Sequence, residues 1–352
     1  MTDLVVLLQS GTTFWSGQIW LYTGFILFVL AMLALDLGVF NRQAHVIGTR
    51  EALKWTAVCV GLAALFSGVV YFIYEHHWLG IGLDVPHHNG VRENLGGMQA
   101  MLLFITGYLI EYTLSMDNIF VIAIIFGHFR VPPTLQHRVL FWGVLGALVM
   151  RGVMIAAGAA VISNLHWIIY VFGGLLVVTA VKMLIVSEKD VEVERTWAVR
   201  LARRIFPFTP EYDGERFFTV LKSGALAGRR AMTPLFLTLI VVEVTDLIFA
   251  VDSIPAIFAI TLDPFIVFTS NIFAILGLRS LYFALAGLMN KFAYLQVSLA
   301  FVLLFVGLKM LLAEKFEISP LNSLSIIVAI LMFGIFASIY VTRRNGGGKP
   351  AE

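Results

Sequence analysis

Residues 233–261 read TPLFLTLIVVEVTDLIFAVDSIPAIFAIT, a run long enough to cross a bilayer that nevertheless carries Glu243, Asp246 and Asp252. A hydrocarbon core of about 30 Å takes about 20 helical residues, so by length this is a membrane span. A carboxylate near the bilayer centre costs roughly 2.5–3.5 kcal/mol on insertion scales. A span that tolerates three of them needs a basic partner, a cation or protonation to offset the cost.

The rest of the chain has the same character. Hydrophobic residues make up 59 % and charged residues 13 % of its 352 positions, and the mean hydropathy is +0.90, outside the range of soluble domains. Long apolar stretches predict nine spans, at 19–40, 53–75, 98–126, 138–162, 165–186, 233–261, 265–288, 292–313 and 321–341. The expected fold class is therefore all-α, a polytopic membrane helix bundle, because helices satisfy their own backbone in lipid. The single cysteine, Cys59, excludes disulfide frameworks and thiolate clusters. A net charge of +2 gives no support to a nucleic-acid partner. No basic n-region precedes the first span, so no cleaved signal peptide is expected.

Basic residues orient the bundle. Of the 24 Lys and Arg, eighteen fall in connections on one side, nine of them in segment 188–232, and only Arg92 and Lys315 fall on the other. The positive-inside rule then puts the N-terminus outside and the C-terminus in the cytoplasm, which an odd number of spans satisfies. The expected location is the cytoplasmic membrane. Segment 188–232 reads as a connector with an amphipathic helix around Trp197, Leu201 and Ile205. The loop after the second span holds His76, His77, His87 and His88 with Glu75 and Asp84; it could collect metal, though such irregular spacing is more often incidental.

Two parts of the chain repeat. Glu111 precedes Asp117 by six residues, with Asn118 and Ile119 following, and Asp246 precedes Asp252 by six, with Ser253 and Ile254 following. The next helix of each half carries an arginine, Arg151 in LVMRGVM and Arg279 in LGLRSLY, and the third carries Lys182 or Lys309 before Met-Leu. Because each unit has three spans, the second copy enters from the opposite side, the inverted-repeat plan of secondary transporters. The expected divisions are 1–97, with two helices and the His-containing loop; 98–187, the first repeat; 188–232, the cytoplasmic loop; 233–313, the second repeat; and 314–352, the last helix and tail.

Five intramembrane acids are the candidate metal ligands: Glu111, Asp117, Glu243, Asp246 and Asp252. Glu111, Ser115 and Asn118 share one helical face, and Glu243, Asp246 and Ser253 share another. Asp117 and Asp252 sit about 120° from the acid six residues earlier, so both acids of a pair reach one ion only if the helix unwinds. Pro255 favours unwinding, since it removes the donor that would bond the Val251 carbonyl. Oxygen donors without histidine or thiolate point to a hard divalent ion, Mn²⁺, Mg²⁺ or Ca²⁺, with Met116 a slight bias toward Mn²⁺. The competing reading makes Arg151 and Arg279 buried ion-pair partners of these acids. Asp36 is an interfacial cap or a pathway residue, and Asn271 a site member or interhelical glue.

With those residues in view, the chain resembles the TerC family of bacterial membrane proteins, and within it the Alx-like members. The stretches that carry the likeness are ALDLGVFNRQAHV at 34–46, EYTLSMDNIFV at 111–121, EVTDLIFAVDSIPA at 243–256 and SNIFAILGLRSLYF at 270–283. The resemblance runs over roughly 30–340. The family takes its name from tellurium resistance and groups with exporters built from paired three-helix units. It is associated with Mn²⁺ export, which implies Mn²⁺ efflux through the five acids here. The expectation is a secondary transporter with no tightly bound cofactor, Mn²⁺ as its cargo and protons as the candidate coupling ion. The alternative is a membrane scaffold of the tellurite stress response that recruits partners through segment 188–232 without moving an ion. HExxH, serine-elbow and nucleotide-loop motifs are all missing, so an enzyme is not expected.

Overall fold

The computed structural model describes residues 2–35, 48–87, 91–165, 167–185, 207–220, 228–285, 295–313, 315 and 318–345. The helices are α1 (Thr2–Leu35), α2 (Thr49–Glu75), α3 (Gly97–His128), α4 (Pro133–Asn164), α5 (Ile168–Ile185), α6 (Pro234–Phe258), α7 (Pro264–Leu285), α8 (Leu295–Leu311) and α9 (Pro320–Asn345). Eight of them are long and apolar enough to cross a membrane, so the polytopic helical bundle stands. The ninth, α8, has 17 described residues, about 25 Å at 1.5 Å per residue, and the expected start of its span at 292 lies outside the described residues.

Helix starts follow local chemistry. Pro133, Pro234, Pro264 and Pro320 each open a helix, where a missing N–H costs nothing and the fixed φ is already helical. Asp263 caps α7: its Oδ1 accepts from the backbone N–H of Phe265 at 2.9 Å and of Ile266 at 3.1 Å. The same oxygen accepts from the Tyr74 hydroxyl at 2.7 Å, which ties the end of α2 to the α6–α7 turn. Glu75 Oε2 accepts from the Gly97 N–H at 3.0 Å and so caps α3 from a neighbouring helix.

Several expectations need correction. The first span, expected from 19, starts at Gln18 within the longer helix α1 that begins at Thr2, and its expected end at 36–40 lies outside the described residues. Helix α6 runs unbroken through Pro255 and ends at Phe258, so the expected unwinding is not found. Three residues from a helix end, one lost backbone bond is cheaper than breaking the helix in lipid. The loop between α2 and α3 folds a short hairpin, β1 (Val85–Pro86) against β2 (Arg92–Glu93). A second hairpin, β3 (Phe218–Val220) against β4 (Arg230–Met232), precedes α6 within the expected connector. The amphipathic helix expected around Trp197, Leu201 and Ile205 lies outside the described residues.

Helix α7 is the centre of the bundle: 89 % of its spanning window is buried, against 22 % for α5. Helices α3, α4 and α2 pack around it. The α1–α2 pair docks through aromatic rings, with Phe66 lying 4.8 Å from Phe273, 5.3 Å from Phe25 and 5.5 Å from Phe104 by ring centroids. In lipid such packing works by dispersion, since the tails are as apolar as the rings.

The major contacts suit two interchangeable three-helix units. Helix α3 packs on α7 and α4 on α6, which is first on second in both senses, and α5 packs on α8, third on third. At the α5–α8 crossing, a Cβ on Gly307 would lie 3.0 Å from both Gly173 O and Leu176 Cβ, and one on Gly173 would lie 2.9 Å from Leu311 Cγ. Pairing 173 with 311 while 307 meets 176 requires the two helices to run in opposite directions. Glycine at both positions lets the backbones approach.

Candidate functional site

Arg151 sits mid-way along α4 in an otherwise apolar run and is fully buried. Its planar guanidinium offers five N–H donors and no acceptor, so burial demands several acceptors at once. Three helices supply them. Nη1 donates to Glu111 Oε1 of α3 and to Asn271 Oδ1 of α7 at 3.1 Å. Nη2 and Nε donate to Asp246 Oδ1 and Oδ2 of α6 at 3.1 and 3.3 Å, the fork arrangement that matches a carboxylate. Asn271 Nδ2 closes the ring by donating to Glu111 Oε2 at 3.2 Å.

Glu111, Arg151, Asp246 and Asn271 therefore form one network across α3, α4, α6 and α7. The ion-pair reading holds for Glu111 and Asp246. Two carboxyl groups here share one guanidinium among the described residues. Asn271 joins this network by bonding α7 to Glu111 of α3 and Arg151 of α4.

Glu243 stands outside the ring. It lies one turn before Asp246, and its carboxylate packs on Gly146 of α4, where a Cβ would overlap it. Its Oε2 is buried without a hydrogen-bond partner. The hydroxyls of Ser115 and Ser253 are likewise buried and unpartnered. Other spanning hydroxyls contrast with these: Thr113, Thr238 and Thr245 each donate to the carbonyl four residues earlier, the usual solution in lipid. Tyr108 of α3, Thr56 of α2 and Ser323 of α9 carry hydroxyls in the same state, and each such oxygen leaves a desolvation cost of about 1–3 kcal/mol unmet.

Asn118 is buried, and half-buried Met116 packs against apolar residues of α3, α4 and α6. Arg279 is buried on α7. The backbones of Asp117 and Asp252 lie on α3 and α6, but their side chains are outside the described residues, as is all of Asp36. Among the described residues no three His, Cys, Asp or Glu side chains converge into a metal cage. Of the external histidines, His76 Nδ1 pairs with Phe72 O at 3.0 Å and His77 Nδ1 with Ile81 O at 3.3 Å, so both are engaged locally; His88 lies outside the described residues.

Sequence reasoning missed two positions. Gly146 makes room for Glu243, a role that spacing within one helix cannot reveal. Asp263 is the other: burial drives its carboxyl above the usual carboxylate range, against the pull of Tyr74 and the two N–H donors. Its Asp-Pro pair at a helix start was the available signal.

The chain matches the family model described as integral membrane protein TerC family over residues 97–346, which includes every member of the network. It is 50 % identical over 327 residues to the membrane protein STKORF319 of Myxococcus xanthus, covering 93 % of this chain and 94 % of that one. It is 42 % identical over 326 residues to Alx of Escherichia coli (strain K12), provisionally described as a membrane-bound redox modulator, covering 92 % and 96 %. A membrane protein of Rickettsia bellii is 38 % identical over 321 residues, covering 91 % and 97 %. No solved structure matches the chain. By the family model and by relatives spanning nearly its whole length, the chain belongs to the integral membrane protein TerC family.

Proposed function

We propose that this protein is a secondary transporter, not an enzyme, that exports a divalent cation across the cytoplasmic membrane. Manganese is the cargo that the family resemblance favours. The observation that carries the reading is the network across α3, α4, α6 and α7, in which two acids share Arg151 and Glu243, one turn before Asp246, has a buried Oε2 with no partner among the described residues. Buried oxygens with unmet demand are what a hard cation seeks.

In this reading Arg151 is a built-in counter-cation. With no cargo it neutralises Glu111 and Asp246; when a divalent ion arrives, Arg151 yields carboxylate oxygens to it. Asp117 and Asp252, on the same two spans as Glu111 and Asp246, are the further acids of the set, and Asp36 is an accessory candidate. Protons returning to the same acids would drive export, and units 98–187 and 233–313 would rock about the site. The N-terminus lies outside and the C-terminus in the cytoplasm.

The test is transport by the purified protein in vesicles, read with a Mn²⁺-quenched dye. Glu243→Gln and Asp246→Asn should abolish flux while the protein still inserts and folds, and equal flux by both variants overturns the assignment. The scaffold reading would instead be carried by segment 188–232: its deletion would remove a tellurite phenotype that the acid variants retain. Dithiol chemistry within one chain is unavailable to a protein whose sole cysteine is Cys59.

A further inference from the structure

On the side of the β1–β2 hairpin, a cavity of about 380 Å³ lies among the hairpin, α3, the α6–α7 turn and the end of α8. That size suits a small ligand. Polar groups enter it at six places: His87, Glu93, Gln99, Thr261, Lys309 and Ser319. Lys309, on the last turn of α8, is half-buried and has no hydrogen-bond or ion-pair partner among the described residues. Glu93 is exposed and makes no ion pair with it. His87 spends its backbone N–H on Val91 O at 2.8 Å, and its Nε2 is buried with no partner.

The contrast with Arg151 is informative. That buried cation is matched by two acids and an amide, whereas Lys309 faces a concave space with donors around it: the Gln99 amide and the Thr261 and Ser319 hydroxyls. An ammonium with no acidic partner among the described residues, set in a partly desolvated cavity, concentrates anions. A metal is disfavoured there, since His87 and Glu93 are the only residues of ligand type among the described residues of the lining and a lysine sits with them.

We propose that this cavity is a binding site for a small oxyanion or carboxylate, held by the Lys309 ammonium with His87, Gln99, Thr261 and Ser319 as hydrogen-bonding partners. Glu93 at the rim opposes the ligand. The site shares no residue with the Arg151 network, so it stands or falls independently of cation export.

The experiment uses the full chain in nanodiscs of zwitterionic lipid, titrated with phosphate, sulfate and acetate at constant ionic strength and read by calorimetry and thermal shift. At least one anion should bind saturably. Lys309→Met should weaken it by about tenfold or more, the worth of one charge-assisted hydrogen bond. Lys309→Arg should retain binding, and Glu93→Gln should tighten it. A second set of nanodiscs containing phosphatidylglycerol separates the sources: anions competed away by that lipid identify a headgroup as the occupant, and undiminished binding identifies a free anion. Absence of saturable binding in both lipids overturns the proposal. So does a Lys309→Met variant that binds like the unchanged protein, or a Glu93→Gln variant that binds less tightly. If Lys309→Met does not fold, the Lys309→Arg and Glu93→Gln results decide.

Discussion

Replacing Arg151 by methionine removes the guanidinium but keeps much of its apolar volume. Glu111 and Asp246 then stay buried with a single amide, Asn271, donating to Glu111. Breaking a buried ion pair from one side costs about 3–5 kcal/mol, since the surviving charge loses its partner and regains no water. Asp246→Asn alone should cost less, because Arg151 keeps Glu111 and the Asn271 carbonyl. The double variant carries one uncompensated acid fewer than Arg151→Met. Its loss should therefore fall about 2 kcal/mol short of the sum of the singles, within the range for directly bonded pairs. Arg151→Lys should fall between, since one ammonium cannot fork onto Asp246 while reaching Glu111. The assay is equilibrium unfolding of the four proteins in mixed micelles at fixed lipid and salt. Losses that add to within about 0.5 kcal/mol would refute the claim that this guanidinium holds the two acids.

Gly146→Ala places a methyl group where the Glu243 carboxylate lies; Mn²⁺ flux in vesicles should fall sharply with little change in thermal stability, and Glu243→Asp on that background should recover part of it. Tyr74→Phe removes a donor to the buried Asp263 and should cost about 1–3 kcal/mol in the same unfolding assay. Asp263 holds its proton more tightly folded than unfolded, so its contribution is greatest below the ordinary carboxylate value and is lost as pH rises through the raised one. Unfolding free energies measured across that window should slope downward, and Asp263→Asn should flatten the slope. Gly307→Val must push the Gly173 carbonyl and Leu176 apart at the α5–α8 crossing; a loss of about 1–3 kcal/mol is expected, with a far smaller one for Val at Gly174, which has open space.

Length and hydropathy made the spans legible, because lipid forces every backbone polar group into a helix or a closed barrel. Buried charge likewise identified Glu111, Arg151 and Asp246 as residues requiring compensation. Which group compensates which was not legible, since Arg151 lies 40 positions from Glu111 and 95 from Asp246 and reaches both only after four helices pack. The same limit hid the role of Gly146, whose significance lies in a side chain it lacks and a neighbour on another helix. Local propensity also misled at Pro255: a proline weakens a helix, but in a packed span near its end the fold keeps the helix intact. One-dimensional pattern governs what must be buried and in what form, whereas the partner of each buried charge is a three-dimensional fact, set by which helix faces meet.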